Sequence, residues 1–90
     1  MDFNKSKGRI WLENEAGELI AEVLFPEIEP SVVEITHTFV DDSLRGQGVA
    51  AKLMEKAAET IAEDHQRAIL TCSYAQAWFA RHKEYDKLLR

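Results

Sequence analysis

Apolar and polar positions alternate in the first half of the chain and recur at helical spacing in the second. Arg9–Leu12 is a short apolar stretch. After Glu13-Asn14-Glu15-Ala16-Gly17 a second run extends from Glu18 to Phe25, with Leu19, Ala21, Val23 and Phe25 on one face and Ile20, Glu22 and Leu24 on the other. Asn14 and Gly17 supply turn chemistry, so the two runs predict a β-hairpin. Pro26 and Pro30 cannot donate to a sheet ladder, and residues 26–31 read as a connection. A third strand spans Val32–Val40, rich in β-branched and aromatic residues. Regular alternation places Val33, Ile35, His37 and Phe39 on one of its faces and Glu34, Thr36, Thr38 and Val40 on the other. Asp41-Asp42-Ser43 ends it.

From Gly46 to Asp64 the apolar residues Val49, Ala50, Leu53, Met54, Ala57 and Ile61 fall on one side of a helix, opposite Gln47, Lys52, Glu55, Lys56, Glu59 and Glu63. Ala68–Thr71 reads as a short buried strand. Tyr74–Arg81 reads as a last helix with Ala75, Trp78 and Phe79 inward, and residues 82–90 either extend it or form a further turn. No repeat or linker interrupts this order. It predicts a mixed, mostly antiparallel sheet with a long helix after the third strand and a short C-terminal helix. The class is α/β, or α+β under a stricter naming, with a right-handed strand–helix–strand crossover.

The length of 90 residues gives one domain, 1–90, whose apolar segments share one core; Trp11, Trp78 and Phe79 are expected in it. A net charge of −5 disfavours nucleic acid and membrane surfaces as partners. The start carries no apolar signal stretch, and no run approaches the roughly 20 apolar residues of a membrane span, so a cytoplasmic protein is expected. A single cysteine, Cys72, excludes an intrachain disulfide and a thiolate metal cluster, and fits a reducing compartment. No metal site is expected.

The candidate chemistry lies at Ser43-Leu44-Arg45-Gly46-Gln47-Gly48-Val49-Ala50, where two glycines precede the long helix. Such a turn lets the main chain approach a phosphate, and the first helical N–H groups point at it; a tight turn with no ligand uses the same glycines. No Gly-Lys-Ser/Thr follows for a Walker loop, and no third glycine completes a dinucleotide fingerprint. Arg45-x-x-Gly48-x-Ala50 resembles the Arg/Gln-x-x-Gly-x-Gly/Ala signature of the GCN5-related N-acetyltransferases. His37-Thr38, Cys72-Ser73-Tyr74 and His82-Lys83-Glu84-Tyr85 extend the likeness, over nearly the whole chain, to the small single-domain subgroup of that family.

The resemblance implies acetyl-CoA as cosubstrate and an amine acceptor, a small primary amine or a lysine-bearing chain. It implies that the amides of Arg45, Gly46, Gln47, Gly48, Val49 and Ala50 hold the pyrophosphate. The pantetheine arm would pair with Phe39 and Val40, between parallel strands 32–40 and 68–71. Cys72 is the candidate acetyl carrier or acid, and His37 the candidate base. Glu34, eleven residues before Arg45, resembles the general-base glutamate of histone-type members. Unless a bulge intervenes, only one of Glu34 and His37 faces the cleft, and His37 is favoured. The bland alternatives are a small buried Cys72, a core His37 and a solvated Glu34. Residues 13–31 leave no room for the two helices that wall the acceptor cleft of longer members. The family's tyrosine acid also has no match after the fourth strand, so Cys72 or Tyr74 would replace it. The alternative function is a CoA-binding module without turnover, or a protein-interaction domain.

Overall fold

The computed structural model describes residues 2–90. Strands β2 (Arg9–Glu13) and β3 (Leu19–Leu24) form the expected hairpin, with Ile10 opposite Val23 and Leu12 opposite Ala21. Asn14 fixes its turn: the side-chain oxygen accepts from the N–H groups of Ala16 and Glu18. A register shift at Leu12/Glu13 brings Leu19 opposite Glu13, so Leu19 is exposed while Ala21, Val23 and Phe25 are buried. Two strands escape the hydrophobic pattern because all their residues are exposed. The first, β1 (Asn4–Ser6), lies antiparallel along β2. The second, β4 (Glu27–Glu29), occupies what reads as a connection and pairs with β5 (Val32–Ile35); the two prolines flank it.

The third predicted strand is divided into β5 and β6 (His37–Val40), and the expected single sheet becomes two. Their orders are β1-β2-β3-β6 and β4-β5-β7, where β7 is Arg67–Leu70 and runs parallel to β5. The division is a β-bulge at Thr36. Thr36 N–H donates to Leu24 C=O at 3.1 Å, although Leu24 is the register partner of His37, so two residues oppose one. The extra residue reverses the alternation. Val33 and Ile35 are buried before the bulge, and Thr38 and Val40, opposite Val23 and Ala21, take the core side after it. His37 and Phe39, opposite Leu24 and Glu22, turn to the outer face with Glu34. This corrects the expectation that His37 and Phe39 share a face with Val33 and Ile35; regular period two fails at the inserted residue.

Helix α1 (Val49–Glu63) buries Val49, Leu53, Met54, Ala57, Ala58 and Ile61 and leads into β7. Helix α2 (Ser73–Arg81) buries Ala75, Trp78 and Phe79 as patterned. Lys83–Leu88 forms a 3-10 helix rather than an extension of α2, and Leu88 closes the core. Among the described residues no helix is long and apolar enough to cross a membrane.

Trp78 stacks on His82 with ring centroids 3.9 Å apart and meets Phe79 edge-on at 5.1 Å. Trp11 departs from expectation. It pairs with Glu22 on the outer face, half-buried, with the Arg9 guanidinium 4.0 Å above its ring. Arg9 is fixed there by a 2.6 Å hydrogen bond to Glu22. Trp78→Ala is therefore expected to cost about 3–5 kcal/mol in a urea titration, and Trp11→Ala clearly less. Equal losses would contradict this division of the aromatics.

Candidate functional site

After β6 the chain turns twice before α1. Asp41 caps the first turn: its carboxylate accepts from Ser43 N–H, and hydrogen bonding from the Ser43 side chain, then from its N–H, holds the Asp41 pKa below the usual carboxylate value. Leu44 N–H, Arg45 N–H and Gln47 N–H donate to Asp41, Asp42 and Leu44 carbonyls. Gly46 and Gly48 then take the left-handed region, with φ of +83° and +70°, which non-glycine residues adopt only at a cost of about 1–2 kcal/mol. A Cβ at either glycine would meet no atom within 4 Å, so packing does not require them; the backbone conformation does.

These turns leave the N–H groups of Gly46, Gly48, Val49, Ala50 and Ala51 without an acceptor among the described residues, since the helical ladder starts with Lys52 N–H to Gly48 C=O. No side chain caps α1 and no acidic residue lies in its first turn, where the helix dipole would favour one. The amides instead border a cleft of about 280 Å³ whose lining runs from Val40 through Asp41, Asp42, Leu44 and Arg45 to the two glycines, the start of α1 and Tyr74. Two expected contributors differ. Arg45 and Gln47 have their own N–H groups engaged within the turn, and the Arg45 guanidinium lies 2.8 Å from Asp42 in solvent. Ala51 is an additional free amide that a signature ending at Ala50 did not include. A larger cavity, about 340 Å³, lies among Lys5–Gly8, Thr60, Asp64 and Gln66 at the far end of α1, away from all these groups.

The lining includes Val40 of β6 and Tyr74 of α2, the elements into which the two parallel strands continue. Thr71 and Cys72 N–H both donate to Ile35 C=O at 3.1 Å, which ends the β5–β7 ladder. Beyond it β6 follows β3 while the other chain turns into α2, and the strands part. Asp41 N–H bonds Ile20 C=O in register with the Glu22–Phe39 and Leu24–His37 pairs, so these pairs carry the β3–β6 hydrogen bonds. The main-chain groups of Phe39 are thus occupied, and those of Thr38 and Val40 face the gap. Of Phe39 and Val40, only Val40 offers a free edge.

Cys72 stands at the N-terminus of α2, where the gap opens, and is half-buried. Its Sγ is 3.5 Å from Thr38 Oγ1. Burial is the largest single influence and raises the thiol pKa, but the Thr38 hydroxyl and the amides of Tyr74, Ala75 and Thr38 together outweigh it, so the net shift is downward. The α2 amides act at a distance, because no side-chain capping bond forms. Tyr74, on the cleft wall, is held above the usual phenol value by burial, partly offset by Arg81.

The structure does not bring His37 to Cys72. His37 is exposed on the outer face, and Thr38 occupies the place beside the sulfur. Glu34 shares the face of His37 and accepts a 2.8 Å hydrogen bond from the Thr71 hydroxyl. The bulge thus puts both candidate bases on one side. Thr38, which no motif singled out for chemistry, becomes the partner of the cysteine.

A turn with acceptor-free amides at the mouth of a helix, beside parallel strands that separate, marks this as an α+β domain with an open main-chain cleft. A family model described as GCN5-related N-acetyl-transferase matches residues 9–88, and the chain belongs to that family. Protein NATD1 of Gallus gallus and of Mus musculus is each 34% identical over 58 residues, 64% of this chain and 53% of theirs. The chain thus spans about half the length of the curated relatives it matches. A GCN5-like protein from Staphylococcus aureus, solved by NMR, shares the fold with a TM-score of 0.81 at 24% identity, over 99% of this chain and 87% of that one. The GNAT family N-acetyltransferase YhbS from Escherichia coli, crystallised in complex with CoA, gives a TM-score of 0.63 at 18% identity, over 86% and 43%.

Proposed function

We propose that the chain is an acetyl-CoA-dependent N-acetyltransferase that passes the acetyl group through Cys72 to a primary amine, either small or on a lysine side chain. The observation that carries this reading is the run of amides at Gly46, Gly48, Val49, Ala50 and Ala51, which lack acceptors and open on a cleft continuous with Val40 and Tyr74. These amides suit the diphosphate of the coenzyme. The free edge at Val40 suits the amides of its pantetheine arm, which would lie like an added strand and bring the thioester to Cys72.

There the Cys72 thiolate attacks the acetyl carbonyl carbon. A bond from the sulfur to that carbon forms, the bond to CoA sulfur breaks, and the leaving thiolate takes a proton from Tyr74, whose phenol burial keeps protonated. The amine then attacks the acetyl-cysteine, a C–N bond replaces the C–S bond, and the sulfur leaves as thiolate. Glu34 and His37 share the face from which an amine can arrive and are the groups to accept its proton; Tyr74 regains its own from water. A reduced, reactive thiol suits a cytoplasmic setting.

Acetyl-CoA at about 100 times its dissociation constant should add about 2.7 kcal/mol of stability, a rise in Tm of roughly 10 °C or more for a domain of this size. Adding an acceptor amine should then release CoA. A shift without release under a broad amine panel would favour a binding module, and no shift would contradict both readings.

A further inference from the structure

The Thr36 bulge exchanges the residue that faces Cys72. Regular alternation carries His37 on from Ile35, whereas the inserted residue turns His37 outward and brings Thr38 inward. Resting on the function proposed above, we infer that Thr38 is the positioning residue of the transfer: when Cys72 carries a thiolate, the Thr38 hydroxyl beside it is the donor to Sγ and directs the sulfur into the gap.

Several observations support this independently of the motif. Thr38 Oγ1 and Cys72 Sγ lie 3.5 Å apart, and Thr38 is the side chain hydrogen-bonded to the sulfur. Its N–H lies on the free edge of β6 and adds to the lowering of the thiol pKa. The remaining influences on the thiol are burial and the amides of Tyr74 and Ala75; no ionised side chain is among them, and Tyr74 is the titratable neighbour along the chain. With no ionised side chain among these influences, the thiolate is favoured by neutral donors, of which the Thr38 hydroxyl is the one a substitution can remove. A histidine in this place would tie the thiolate to imidazole protonation, whereas a hydroxyl does not titrate in the working range. The outward turn of His37 also leaves it free to serve the amine side.

The test compares Thr38→Val with Thr38→Ser on the free protein, reading the rate of Cys72 alkylation by iodoacetamide against pH. Thr38→Val keeps the volume and β-branching but loses the donor. The alkylation midpoint should move up by about one unit or more, roughly a tenfold loss of thiolate on the acid side. Thr38→Ser keeps the donor and should retain the wild-type profile. An unmoved profile in a folded Thr38→Val, checked by circular dichroism, overturns the inference; so does a Thr38→Ser profile that moves as far as that of Thr38→Val. The alkylation arm uses no coenzyme. If wild-type protein takes up no acetyl group from acetyl-CoA, it is the covalent route of the proposed function that fails, and the thiol profile still decides the part assigned to Thr38.

Discussion

Gly48→Val should lower acetyl-CoA affinity by about a hundredfold or more, while the protein stays folded. Each charge-assisted hydrogen bond from amide to phosphate is worth about 1.5–3 kcal/mol, and displacing the diphosphate from two of them reaches that factor. The substitution acts in two ways. Gly48 has φ of +70° and ψ of 22°, a conformation in which a β-branched residue is strained, so the turn shifts and its amides lose their common direction. No atom lies within 4 Å of the added Cβ, so the side chain enters the open space before the turn instead of wedging the core. Gly17→Val supplies the control. Gly17 has φ of +82° and equally open surroundings, but lies in the β2–β3 turn. It carries the same backbone strain with no amide row beside it, so its variant should lose comparable stability and bind acetyl-CoA as the wild type does. Calorimetric titration of both variants decides the point. Equal affinities of Gly48→Val and wild type would remove the turn from the binding site.

The elements whose apolar residues point one way were legible in the sequence. Helix α1, the β2–β3 hairpin and the inward side of α2 each rest on burial with a fixed period, and that period survives into the fold. The edge strands β1 and β4 were not legible, because their residues are exposed on both faces and pair only through the backbone. Thr36 shows a different limit. Nothing in Ile35-Thr36-His37 marks a bulge; it arises because the chain must leave β7 and join β3 within a few residues, a demand set by partners distant in sequence. That one inserted residue sets the side-chain arrangement of the site. It puts Glu34 and His37 on a common face, separates His37 from Cys72, and gives Thr38 the cysteine. The glycine turn was legible in outline, since glycine before a helix reports on backbone conformation directly. Which amides it frees depends on the carbonyls of Asp42 and Leu44, and only the folded turn shows that.

Cys72→Ala should abolish the acetyl-protein species seen by intact mass spectrometry and lower amine-dependent CoA release at least a hundredfold, with acetyl-CoA affinity unchanged within about twofold. The separation follows from position. Cys72 lies at the start of α2, whereas the amides proposed for the diphosphate lie on the turn and on α1, so removing the sulfur leaves the binding groups intact. Stability should change little, because a half-buried small side chain is shortened by one atom and alanine is at ease beside a helix terminus. The pH dependence of acetyl uptake gives the sign. Only the thiolate attacks, so the rate rises with pH through the thiol pKa and levels off above it. Because the Thr38 hydroxyl and the nearby amides bring that pKa down against the opposing effect of burial, the rise should begin at lower pH than for a free cysteine. A role for Cys72 as proton donor to departing CoA predicts the reverse: the reaction falls as the thiol ionises, and the wild type carries no acetyl group. Wild-type protein that releases CoA to an amine without ever showing the adduct, under rapid quenching, would therefore exclude the covalent route while leaving the acetyltransferase reading in place.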